Sequence, residues 1–484
     1  MRSGKALFVS VIFLTGSICV FSQSEAGGGG RVERSAGSGE TTFKPRVRAV
    51  TKRTAPKRIV PKKTAAEYEA EGDKYYDAND HDSALLAYEN AARLKPSYHA
   101  LYRMGWIYND FGEYAKALPA LDRAIAADSS QSGPFTEKGY ALRRLGRVDE
   151  AISAFKQSIA LNPGGYVALY ELGSIYNEQK RYADAEGFLN QSIRNKSDYA
   201  AAHEELGIVL RHLGRNTDAI RSFNRAIELA PEDGGPYLGL GDVYFYGTGE
   251  YQKAIDAYSK GLQYEPNNDV AAYNIGYADN DIGNYNDALS WLAKAIKLKP
   301  AYYDAYVETG YAYRKLQNQA QAIAAYQKAL QLKPNGASAL TGIGDVYFEI
   351  PKKYDTAADY YRRGLAIQPD NASALYRLGY SYNDMGQYAQ AIDVLDRSRR
   401  LKPEWVFTMN ELGYSYKQLK RYDDAIAVLR QAVSTNRDNQ LAHYYLGQVY
   451  VLTGNRSEAN GQYRELQRLN SDYAEKLMDA IRKM

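Results

Sequence analysis

The sequence predicts an all-α fold, a solenoid made of one helix-turn-helix unit copied in tandem about twelve times. Three observations carry this. A glycine recurs at intervals of 33, 34 or 35 residues, as Gly72, Gly105, Gly139, Gly173, Gly207, Gly241, Gly276, Gly310, Gly344, Gly379, Gly413 and Gly447. Each is followed about a dozen residues later by an alanine, from Ala84 and Ala117 through Ala425 and Ala459. Prolines then close the units at Pro96, Pro163, Pro231, Pro266, Pro300, Pro334, Pro369 and Pro403.

The eighth copy shows how the unit is written. Tyr306, Gly310 and Tyr313, then Ala322, Ile323, Tyr326, Ala329 and Leu330, recur at three and four spacing, which predicts two amphipathic helices joined at Gln317 to Gln319. Glycine inside a helix costs roughly 0.5–1 kcal/mol against alanine. Its regular return therefore predicts a close approach between the two helices, glycine against alanine. Pro334 ends the second helix. Pro119 falls inside the second helix of the second copy and predicts a kink. The sixth and ninth copies each hold one extra residue, expected in their inter-helix turns at 246–250 and 349–353.

These positions resemble the tetratricopeptide repeat. The fifth copy carries its pattern as Leu206, Gly207, Leu210, Ala219, Phe223, Ala226 and Pro231, the eighth as Tyr306, Gly310, Tyr313, Ala322, Tyr326, Ala329 and Pro334. Some copies depart from it: Asp279, Leu142 and Leu210 replace the expected tyrosine. The resemblance implies helical hairpins stacked in a right-handed superhelix whose concave face holds a ligand. The repeats are expected over 64–470 and a capping helix over 471–484, where Asp472 and Glu475 have capping-box spacing and Tyr473, Leu477 and Ile481 share a face.

The amino end differs from the repeats. Arg2 and Lys5 precede an apolar run from Ala6 to Phe21, then Ser24-Glu25-Ala26, the order of a secretory signal peptide over 1–26. Such a run is short of the ~20 residues that span a bilayer, which disfavours an uncleaved anchor. The one cysteine, Cys19, lies inside it, so the expected mature chain has no thiol for disulfides, catalysis or metal. Residues 27–63 form a linker with eleven Lys or Arg and two Glu, against a net charge of −6 for residues 64–484. It is a solvated spacer or a segment attracted to anionic membrane or wall polymer.

The sequence contains no P-loop, nucleophile elbow or zinc-protease helix motif. His203-Glu204-Glu205 lacks a second histidine, and 279–283 puts glycine too early for a calcium loop. The reading is a non-enzymatic chain with no cofactor, no metal and no nucleic-acid partner.

Forty-five tyrosines exceed what helix packing needs. In the family the residues two, five, nine and twelve places into each unit line the groove, and carried onto this chain they show a longer period. Copies six to eight give Asp242 and Phe245, then Tyr273, Tyr277 and Asn280, then Tyr311 and Arg314. One hundred and three residues later stand Asp345 and Phe348, then Tyr376, Tyr380 and Asn383, then Tyr414 and Lys417. The opening copies echo this with Asp73 and Tyr76, then Tyr102, Trp106 and Asn109, then Tyr140 and Arg143. An incomplete set holds Tyr170, Asn177 and Arg211. Rings with asparagines that bond a ligand backbone suit an extended polypeptide. A glycan-binding envelope assembly factor or a structural, self-associating spacer is the alternative, and duplication alone, with pairs such as Asp281 and Arg314 between copies, would also leave the period.

Overall fold

The computed structural model describes residues 63–484; the predicted signal peptide and all of the linker except Lys63 lie outside the described residues. Among these residues twenty-five α-helices follow one another, twelve pairs and a final single helix. We call the members of each pair helix A and helix B. In copy 8 helix A is Tyr303–Lys315 and helix B is Gln319–Leu332. Each helix B packs on its own helix A and on the helix A that follows. The A helices of neighbouring copies also touch directly, which puts them on the inner side of the stack.

The recurring glycine has a different partner from the one expected. The alanines are fully buried, but a Cβ at Gly310 would meet the ring of Tyr326 at 2.8 Å, and one at Gly105 would meet Leu121 at 2.4 Å. The close approach is therefore between the helix A backbone and the large side chain four residues beyond the alanine. In copy 12 that place is taken by Leu477 of the final helix, Tyr473–Arg482, 2.4 Å from a Cβ at Gly447. The final helix thus closes the array by filling the last glycine notch. Its predicted capping box does not form: Asp472 makes no cap bond, and Ser471 Oγ accepts from the Tyr473 amide at 3.3 Å instead.

One other expectation is corrected. The extra residue of copy 6 lies in a π-helical turn, Val243–Thr248, which continues helix A and ends at Gly249 with φ +70°. In copy 9 it does lie in the turn, where Lys352 takes φ +52°. Helix B of copy 2, Tyr114–Ala127, continues through Pro119, with Ala117, Ala120, Leu121 and Ala124 buried.

Candidate inner-face binding site

The ring-bearing positions of helix A gather into clusters at the copy junctions. Tyr76, His81 and Trp106 have centroids 5.2–5.4 Å apart. Phe348, Tyr354 and Tyr380 repeat the triangle at 5.2, 5.2 and 5.5 Å, and Phe245, Tyr251 and Tyr277 at 5.4, 5.5 and 6.3 Å. Edge-to-face contact at these separations is favourable, and it leaves ring faces and edges along the inner side. One junction further on, each triad is followed by a pair: Tyr114 with Tyr140, Tyr285 with Tyr311, and Tyr388 with Tyr414. Tyr273 tilts against Tyr302, Tyr170 meets Tyr199 edge-on, and Tyr102 stacks on Tyr98.

The asparagines are not displayed, which corrects the expectation that they meet a ligand. Asn109, Asn280 and Asn383 are 1, 3 and 5 % exposed. Each donates from Nδ2 to both the backbone oxygen and the carboxylate of a glutamate in the next helix A, Glu137, Glu308 and Glu411, at 2.8–3.1 Å. Asn177 does the same to the Glu205 carboxylate at 2.8 Å. These are clasps between copies. Burial pushes the Glu137 carboxyl up to about 8 and that of Glu308 to about 7, against the lowering effect of the asparagine bond. Glu411 is raised by burial as well.

The charged positions are also committed between copies. Tyr258 donates to Asp242 and Tyr361 to Asp345, at 2.7 and 2.8 Å, within their own hairpins. Arg211 lies 3.7 Å from Asp242. Arg143 binds Glu171 and Glu178. Arg314, buried, is paired with Asp345 and Glu349 of the next copy rather than with Asp281, and Arg377 of the copy after that reaches the same two carboxylates. Lys417 donates to Gln448 at 2.6 Å between the rings of Tyr414 and Tyr445, and burial lowers its ammonium to about 8.

Tetratricopeptide models match residues 69–132, 136–200 and 238–303, a further one 198–264, and a repeat model described as TPR repeat 310–350 and 413–454. The chain belongs to the tetratricopeptide-repeat family. A model for anaphase-promoting complex subunit 3 also matches 351–432. Among curated relatives, the Hsp70-Hsp90 organizing protein of Triticum aestivum is 26% identical over 237 residues, 41% of this chain and 40% of its own. The peroxisomal targeting signal receptor of Yarrowia lipolytica is 28% identical over 163 residues, 32% and 27%. The chain thus spans less than half the length of these relatives. Among solved structures, Cut9 with Hcn1 has a TM-score of 0.42 at 15% identity, covering 87% of this chain and 96% of that one. Yeast Tom70 gives 0.39 at 14%, covering 81% and 97%.

In this tetratricopeptide array the sequence reading missed the other half of each clasp. Glu308 and Glu411, Asp281 and Asp384, and the triad members Tyr251 and Tyr354 are all spaced by the same 103 residues as the positions it chose. Following that period through every position, not only those four per unit, would have found them.

Proposed function

We propose that this chain is an exported, non-enzymatic scaffold whose inner face holds an extended segment of a partner polypeptide. The observation that carries the reading is the ring cluster repeated at three block positions along one continuous face. A face that repeats its chemistry suits a ligand that repeats its own, as a polypeptide backbone does, and tyrosine gives contact area at low entropy cost. Relatives whose names tie them to Hsp70 and Hsp90, or to a targeting signal, support a protein partner over a glycan. Export rests on the order of basic, apolar and small residues over 1–26. No helix among the described residues is long and apolar enough to cross a membrane.

The test is photo-crosslinking in cells from an azidophenylalanine placed at Tyr380 or at the outer position Gln252. Adducts from Tyr380 and not from Gln252, carrying peptide mass, support the reading. Adducts carrying hexose would replace it with a glycan ligand, and equal adducts from both positions would remove the inner face as the site. In the same extract, mass spectrometry of the mature terminus should find Gly27.

A further inference from the structure

The clasp glutamates are only half used. Glu308 and Glu411 each accept the asparagine amide at Oε2, at 3.0 and 2.8 Å, and their Oε1 atoms have no hydrogen bond among the described residues. Those oxygens are not among the polar atoms sealed from solvent, whereas Asn280 Oδ1 is. Glu411 is nonetheless 9 % exposed. A carboxylate held this deep with one oxygen open is expensive unless a donor covers it.

The surroundings show which donor. Asp281 and Asp384 follow the two asparagines directly, are exposed, and have no ion-pair or hydrogen-bond partner among the described residues. The charge of Asp281 reaches Glu308 of the clasp, Tyr251 of the ring triad and Tyr311 of the ring pair. The charges of Asp384 and Glu411 both act on Tyr380, and that of Glu411 also on Tyr376, Tyr414 and Tyr445. Among the described residues no cation acts on Glu411, and the one acting on Glu308, Arg314, is already paired with Asp345 and Glu349. In the first block the chain itself supplies a partner for the aspartate, Asp110. There His81 stands where Tyr251 and Tyr354 stand later, its Nδ1 lies 2.8 Å from Asp110, and the Arg103 guanidinium sits 4.1 Å from the centre of the Tyr76 ring.

We propose that the second and third blocks each seat a basic side chain of an extended partner polypeptide. Its ammonium or guanidinium lies between Asp281 and Glu308 in one block and between Asp384 and Glu411 in the other. Charge-assisted bonds to the carboxylates and cation–π contact with the flanking tyrosines hold it. The two seats are one design three copies apart, so the ligand presents basic residues to both. Lys63 offers the same chemistry in miniature, 2.8 Å from Glu71 and above the Tyr68 ring.

The inference rests on the proposed peptide-binding role, and one experiment separates the two. Labelled ten-residue peptides of alternating Lys-Gly, Ser-Gly and Glu-Gly are titrated against the full chain by fluorescence anisotropy. The Lys-Gly peptide should bind at least tenfold more tightly than the others. Glu308→Gln with Glu411→Gln should weaken it tenfold or more while keeping the asparagine bonds and melting no lower than the parent. Asp256→Asn with Asp393→Asn, which removes two exposed charges from B helices, should change it less than twofold. Equal loss in both double variants, or none in the first, overturns the seats. Tight binding of the Ser-Gly or Glu-Gly peptide instead overturns them while leaving the peptide-binding role standing, and no binding by any peptide removes both. A chain with glutamine for the basic residues of 44–58 that binds Lys-Gly tenfold more tightly than the parent would show the seats filled by the chain's own segment, overturning the partner.

Discussion

The junction between copies 7 and 8 and the junction between copies 10 and 11 share Tyr273 and Tyr376, Asn280 and Asn383, Glu308 and Glu411, and Tyr311 and Tyr414. They differ in how the clasp is finished. Asn383 Oδ1 accepts from Ser415 Oγ at 2.6 Å, while Asn280 Oδ1 is sealed without a partner, with Ala312 at the place of that serine. The junctions just before them, between copies 6 and 7 and between copies 9 and 10, differ two residues before the glycine. Arg377 there gathers Asp345 and Glu349, whereas Asn274 donates to Tyr258 at 3.0 Å and accepts from Tyr246 at 3.2 Å. What is constant between the junctions is the backbone approach and the asparagine bond. What varies is the groups that neutralise or complete them, which is where a duplicated block can acquire a character of its own.

Substitutions at matched positions sharpen this. Arg377→Ala leaves two partly buried carboxylates with Arg314 alone and should cost roughly 2–3 kcal/mol. Asn274→Ala, at the same place in the other block, removes neutral bonds and should cost about 1 kcal/mol. Urea titration of both variants reads the difference, and equal losses would deny the charge cluster its role. Gly276→Leu and Gly379→Leu test the constant part. Each would drive a side chain into Leu292 or Leu395, which a Cβ alone would already meet at 2.6 and 2.4 Å, so each should cost about 1–3 kcal/mol. Hydrogen exchange should show that loss in the substituted copy and its neighbours, since a repeat array is coupled through nearest interfaces.

The carboxyl of Glu308 gives a pH signature whose direction Glu137 and Glu411 share. It faces Asp281, Asp304 and Arg314, and burial moves it from the usual 4.5 to about 7. A raised carboxyl keeps its proton in the folded chain after the unfolded chain has lost it. Stability therefore falls as pH rises from about 4.5 to about 7 and is level above, by something on the order of 3 kcal/mol. Thermal melts of Glu308→Gln across pH 4 to 8 should lack that share of the slope. A smaller effect comes from moving the hydroxyl: Ala312→Ser should stabilise by about 0.5–1 kcal/mol through a new bond to Asn280, and Ser415→Ala should destabilise by about 1 kcal/mol. A loss in Ala312→Ser would mean that the serine of the third block is not what completes its clasp.

The repeat architecture was legible because period is a property of residue spacing, and Gly310, Ala322 and Pro334 each mark a physical event in the hairpin. The identity of the contact was not legible. Glycine and alanine suggest a pair, yet the notch at Gly310 receives Tyr326, because the side chain from one turn beyond the alanine reaches back across the interface. The ring positions were also readable from the period, and the structure brings Tyr277 to Phe245 and Tyr380 to Phe348. Asn280 was misread for a definite reason: an amide bonds a ligand backbone and a neighbouring helix backbone equally well. Only the fold shows that Glu308 of the next copy is already there. Likewise Arg314 passes over Asp281 for Asp345, a choice set by the stacking of copies and invisible in one dimension.

The central claim is that the asparagines hold the copies together while the rings and the open glutamate oxygens face the ligand. The most direct measurement is thermal melting of the full chain carrying Asn109→Ala, Asn280→Ala and Asn383→Ala, with Lys-Gly peptide affinity taken well below the melt. Alanine is the better helix former, so any loss reports the clasp and not helix propensity. The account predicts a lower melting temperature, about 1 kcal/mol or more at each site, with affinity within twofold of the parent. An unchanged melt with affinity lost would contradict it, and would return the asparagines to the ligand.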